Sequence, residues 1–215
     1  MKHSAQVLIM PGSPALVDAL AGAHEPSRRV LGAIGTAVGQ AVDALGASGA
    51  RETAATIDIV CPRNQQHYTA HTGSFAAWGA PQVSVGEGNY LPELVARYAL
   101  AQPSLAGRST RVREVRSHVG APDPGVLTIV VADGSAGLTE RAPLALIYGA
   151  PELHRAMERF ADGEDVALPE NLEELGVLEP GLWFELARLN RVSSQLVDSD
   201  ASLGVGRYVA LWEVA

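Results

Sequence analysis

Three short, almost wholly apolar runs constrain this chain more than any other feature: Val7 to Met10, Thr56 to Cys61, and Val126 to Val131. Each stops abruptly, at Pro11-Gly12-Ser13-Pro14, at Pro62-Arg63-Asn64 and at Ala132-Asp133-Gly134-Ser135. A strand with one face in water alternates apolar and polar residues. A continuous run needs cover on both faces, which parallel sheets receive from their crossover helices. The sequence between the runs supplies such helices. From Pro26 to Leu45 the residues Val30, Leu31, Ile34, Val38, Val42 and Leu45 fall at helical spacing, with Ser27 as a candidate cap. Gly32, Gly35 and Gly39 weaken that helix but allow close packing on a sheet. Leu91 to Leu100 reads as another helix, as do 151–162 and 180–197, the last carrying Leu182, Leu186, Leu189 and Val192.

The remaining segments complete the pattern. Thr110 to Arg116 alternates Val112 and Val115 with Arg111, Arg113 and Arg116, which predicts an edge strand. Gln82 to Val85 predicts a short strand and Val205 to Val214 a closing one, while Arg63 to Gly79 reads as a long loop. Strands alternating with helices predict the α/β class, here a layered α/β/α single domain over residues 1–215 around a central mixed, mostly parallel sheet.

A chain of 215 residues, 47% apolar and 19% charged, can bury such a core. Its net charge of −8 excludes the basic footprint that nucleic acid or an anionic membrane surface requires. The single cysteine, Cys61, forms no intramolecular disulfide and reads as a small buried hydrophobe at a strand end. Met1-Lys2-His3-Ser4-Ala5-Gln6 leads into an apolar run of only Val7 to Met10. That is too short for a signal peptide or for the ~20 residues of a membrane span, so the cytoplasm is the expected compartment.

Ligands of open α/β sheets sit beyond the carboxyl ends of the strands. The expected pocket is therefore built from the three stop loops, with Gly12, Ser13, Arg63, Asp133, Ser135 and Ala136 as its candidate residues.

The same loops carry a resemblance. Ala132-Asp133-Gly134-Ser135-Ala136-Gly137-Leu138-Thr139 resembles the Gly-Asp-Leu-Ser-His-Arg-Leu-Thr motif of class III extradiol dioxygenase catalytic subunits of the LigB type. Gly73-Ser74-Phe75-Ala76-Ala77-Trp78-Gly79 resembles a Gly-Ser-Phe-Ala-Pro-Trp-Gly stretch of small, alanine-rich actinobacterial proteins of that superfamily. Gly204-Val205-Gly206-Arg207-Tyr208-Val209-Ala210 is similar to their closing strand. The resemblance implies a LigB-like fold, a homodimer, and Fe(II) held by two His and one carboxylate, with a further His as acid/base. Carried over by residue, those groups are missing. Gly12 stands for the first His, Arg63 for the second and Ala136 for the acid/base His, while Glu185 is the nearest candidate for the carboxylate. A guanidinium offers no lone pair and repels a cation. The expectation is thus no iron and no ring cleavage, and a pocket kept for a small anionic ligand at Arg63 and the nearby serines.

The rival expectation is an active metal-dependent dioxygenase or related oxidoreductase with displaced ligands, His67 or His71, which form a His-x-x-x-His pair. Asp133 is expected to cap its turn, or to pair with Arg63 across the former metal site. No Gly-x-Ser-x-Gly elbow surrounds Ser13 or Ser135, and the glycines of Gly86-Glu87-Gly88 read as a turn.

Overall fold

Two-sided burial is what the apolar runs achieve. The computed structural model describes residues 4–47, 54–105 and 107–215; Met1, Lys2 and His3, the start of the stretch weighed above as a leader, lie outside them. In chain order the elements are β1 (Ala5–Met10), α1 (Asp18–Ala21), α2 (Glu25–Ala47), β2 (Ala55–Val60), β3 (Ser74–Phe75), β4 (Ala80–Ser84) and α3 (Leu91–Leu100). There follow β5 (Thr110–Arg116), β6 (Leu127–Val131), α4 (Ala150–Asp162), α5 (Pro180–Leu186), β7 (Arg191–Asp200) and β8 (Arg207–Val214). Six strands form one sheet in the order β5-β2-β6-β1-β8-β7. Its first four run parallel, and β8 and β7 complete it as an antiparallel hairpin. The chain is α/β, with a mixed, mostly parallel sheet.

Alternate residues of each central strand serve two cores. Leu8 and Met10 of β1, Ile57 and Ile59 of β2, and Leu127, Ile129 and Val131 of β6 meet Val30, Ile34 and Val38 of α2 and Leu94 of α3. On the other face Val7, Ile9, Val130, Tyr208, Ala210 and Trp212 meet Leu153, Met157 and Phe160 of α4 and Trp183 of α5. Each buried aliphatic side chain contributes about 1.5–3 kcal/mol, so a run lacking alternation is what a doubly covered strand requires. Tyr208, Val209 and Trp212 are buried inside the chain itself, which assigns them to the core rather than to a surface. No described helix is long and apolar enough to cross a membrane.

Four expectations need correction or refinement. The helix expected over 180–197 stops at Leu186, and Arg191–Asp200 is a strand. The leucine spacing does extend the helical pattern, but β8 offers this segment a full antiparallel ladder. The Arg191 guanidinium also lies 4.8 Å from the Phe160 ring and donates to the Phe160 carbonyl. The short strand expected at Gln82–Val85 is present as β4, Ala80–Ser84, and it pairs in a separate two-stranded ribbon with β3, which lies inside the supposed long loop. The glycines of α2 do not lie against the sheet: a Cβ at Gly35 would come 2.6 Å from Ser104 Oγ, and one at Gly39 would meet Arg108. They admit the connection between α3 and β5. Ser27 sits within α2, its hydroxyl accepting from the buried Arg207 and facing His24.

In β5, Val112 and Val115 are three apart, yet both pack against the same core. A bulge opposite Ile57 and Asp58 inserts the extra residue and returns the two valines to one face. Asp58, the charged exception in its run, is buried and takes both donors of Arg113 at 2.9 and 2.7 Å.

Candidate functional site

The strand order reverses between β1 and β6. From β1 the chain leaves toward α2 on one face, and from β6 toward α4 on the other, so the loops after these strands part and leave a crevice. A cavity of about 350 Å³ occupies it. Gly12, Ser13 and Pro14 after β1, Pro62 and His67 after β2, and Ala132, Asp133, Gly134 and Ala136 after β6 contribute to its lining. Leu91 and Pro92 at the start of α3, Pro143, Leu178 with Glu179, and Leu203 with Val205 close the remainder. The wall is dominated by prolines and aliphatic side chains. Leu178 and Leu203 on the rim are 65% and 38% exposed.

The loop bearing Asp133 is held rigidly. Gly134 donates to the Gly206 carbonyl at 2.7 Å, Gly206 to that of Ser135 at 2.9 Å, and Ala136 to that of Gly176 at 2.8 Å. Trp183 Nε1 donates to the Asp133 carbonyl at 2.9 Å. Beneath the loop Tyr208 is buried, its hydroxyl 2.7 Å from His154 Nδ1. Gly134 is a requirement of this packing, since a Cβ there would lie 2.7 Å from the Tyr208 ring. The Asp133 carboxyl accepts one bond at Oδ2, from the Gly12 amide at 3.2 Å, and its buried Oδ1 has no partner. Burial pushes this carboxyl up to about 6, against the opposing pull of the Gly12 amide and the Arg207 charge.

Of the six expected pocket residues, the fold gathers Gly12, Ser13, Asp133 and Ala136 on the cavity. Ser135 is buried behind it, its hydroxyl accepting from the Gly137 amide. Arg63 lines a neighbouring groove with Asn64, Ser117, His118, Glu179 and Glu185. The expected pairing of Arg63 with Asp133 is not formed: the guanidinium donates to the Val115 carbonyl at 3.1 Å and stacks over Tyr90. The bulged edge of β5 and the ring supply it with nearer partners. Ser13 instead caps the turn that follows it, accepting from Ala15 at 3.3 Å.

His67 and His71 do not share a helix. His67 ends a single 3₁₀ turn and faces Glu179 at 3.6 Å, whereas His71 is exposed at the base of the β3–β4 ribbon. Glu185 turns away from the cavity to bind His118 Nδ1 at 2.8 Å. The lining residues missed from the sequence, Leu178, Glu179 and Leu203, lie far along the chain from the strand ends. His67, noted in the sequence for its His-x-x-x-His spacing, does line the cavity.

No protein-family model matches this chain, and no curated protein sequence does.

The iron that the resemblance implies does not fit the residues present. A Cβ at position 12 would come 3.1 Å from Val131 Cγ1, 3.3 Å from Asp133 Oδ2 and 3.4 Å from Pro92 Cβ, so a side chain here would press on its neighbours, and glycine brings no ligand atom of its own. Arg63 has no lone pair for a metal and donates to the Val115 carbonyl, and Ala136 presents a methyl. Among the described residues, no three His, Cys, Asp or Glu side chains are grouped to hold a metal ion. What this arrangement can do is enclose an apolar molecule and offer it one under-bonded carboxyl.

Proposed function

We propose that this chain is an extradiol-dioxygenase-like protein without ring-cleavage activity, which keeps the cavity at the strand ends as a small-molecule binding site. The observation that carries the proposal is the set of side chains at the strand ends: Gly12 and Ala136 line the cavity and Arg63 turns to Val115 where the resemblance calls for imidazoles, and a Cβ at Gly12 would already press on Val131 and Asp133. The mostly parallel sheet and the position of the cavity at its switch point support the binding half. The superfamily assignment, and the homodimer that goes with it, rest on the sequence motifs alone.

Anion recognition through Arg63 finds little support inside the cavity, because the guanidinium lies in the adjoining groove, where Glu179 and Glu185 oppose an anion. Binding is tested by ligand-observed NMR with a fragment library on the wild type and on Val205→Trp, whose indole fills the cavity. Fragments that bind the wild type should lose at least about tenfold in affinity for the variant. Equal binding to both proteins would refute the site.

A second reading, a metal-dependent extradiol dioxygenase or related oxidoreductase with displaced ligands, is favoured by one observation. His67, Glu179 and Asp133 all line the same cavity, and His67 Nε2 lies 3.6 Å from Glu179 Oε1. That reading requires Fe(II)-dependent turnover of a catechol that disappears in His67→Ala.

A further inference from the structure

We infer that the occupant of the cavity is a small apolar cation, a protonated amine on a hydrocarbon body, whose ammonium group is received by the Asp133 carboxylate. This rests on the reading of the cavity as a binding site and adds the class of ligand.

The charges of the lining carry the inference. Neither lysine nor arginine lines the cavity, and its ionisable groups are His67, Asp133 and Glu179. His67 and Glu179 face each other, and Glu179 also accepts from Asn64, so these two are mutually engaged. Asp133 is different. Among the described residues it has no ion-pair partner, and one of its oxygens has no hydrogen bond at all. Rotation about χ2, soft for a carboxylate, can exchange its two oxygens.

The groups around Asp133 do not supply the missing charge. From the β1 side comes only the Gly12 amide, and from α5 the Trp183 indole, which binds the Asp133 carbonyl instead. From β8 come Arg207, bound to Asp200 and Ser27, and Tyr208, whose hydroxyl burial holds well above its usual range and therefore protonated. An enclosed carboxylate lacking a counter-charge is unfavourable, and an ammonium ion is the ligand group that corrects it. An alcohol brings no charge. A carboxylate ligand would oblige Asp133 to retain its proton. The exposed Leu178 and Leu203 on the rim meanwhile offer apolar surface for the ligand body to cover.

The three ligand classes differ in the sign of their pH dependence, which makes the inference testable. Benzylamine, benzyl alcohol and benzoate are titrated into the wild type and Asp133→Asn at about pH 5 and about pH 7.5, following the Leu178 and Leu203 methyl signals by NMR. Benzylamine should bind the wild type most tightly, and about tenfold more tightly at the higher pH, because binding requires Asp133 ionised. In Asp133→Asn that pH dependence should vanish, and affinity at the higher pH should fall at least about tenfold.

A flat profile for benzylamine in the wild type, or tighter binding of the alcohol or benzoate at those methyls, would overturn the amine and leave the cavity as a site. If no probe perturbs the methyls, both the amine and the cavity reading fall.

Discussion

At the scale of single residues, the informative positions are polar groups that the fold has enclosed. Asp133 is enclosed with one oxygen unbonded, and burial raises its carboxyl to about 6 against about 3.9 in an unfolded chain. The folded state thus holds this proton more tightly than the unfolded state. The group's contribution to stability is complete below about pH 4 and is lost as the pH rises through about 6. Asp133→Asn should remove that dependence, since its side-chain oxygen can still accept from Gly12. Near neutral pH the variant should be about 3 kcal/mol more stable than the wild type, with the difference vanishing toward pH 4; urea unfolding at both pH values measures it. Cys61 is enclosed too, its thiol pushed up to about 12 by burial, and is chemically inert, as its apolar flanks imply. Sequence reading found both residues, because each ends an apolar run. It paired Asp133 with Arg63, a pairing the fold does not form. Which cation reaches a carboxylate depends on where β5 and β8 lie, and no local pattern encodes that.

The elements show where local pattern suffices and where it is overruled. The runs at β1, β2 and β6 were legible because two-sided burial leaves no other composition open, and Leu91–Leu100 was legible because its apolar spacing ends where the helix ends. Strand β7 was not legible. Leu189 and Val192 continue the spacing of α5, and only the ladder with β8, a partner that follows it in the chain, converts the segment to strand. Strand β5 was placed at the edge correctly, but the bulge that aligns Val112 with Val115 shows only in the register. The same bulge sets Arg113 against Asp58, a buried carboxylate on a strand otherwise apolar. Arg113→Ala should destabilise the fold by about 1–2 kcal/mol. This is less than a fully buried pair would lose, because Arg113 is partly exposed and Arg116 remains 3.8 Å from Asp58. Chemical denaturation measures that loss. A change within about 0.5 kcal/mol would show that Asp58 does not depend on this partner.

For the whole molecule, the sheet fixes the location of the site, and the side chains at its end decide the chemistry. The reversal between β1 and β6 opens the crevice at the carboxyl ends of the strands, the end at which the sequence placed its stop loops, whereas the strand order itself shows only in the fold. The rim could not be foreseen in the same way. Leu178, Glu179 and Leu203 arrive from the segments before α5 and β8, distant in sequence from the loops after β1, β2 and β6. The proposed reading makes this end of the sheet a ligand cavity without an iron centre. Anaerobic titration of the purified chain with Fe(II), followed by calorimetry and elemental analysis after desalting, tests it most directly. No saturable binding and far less than one iron per chain are expected. One tightly held iron per chain, lost when cavity residues are changed, would contradict it.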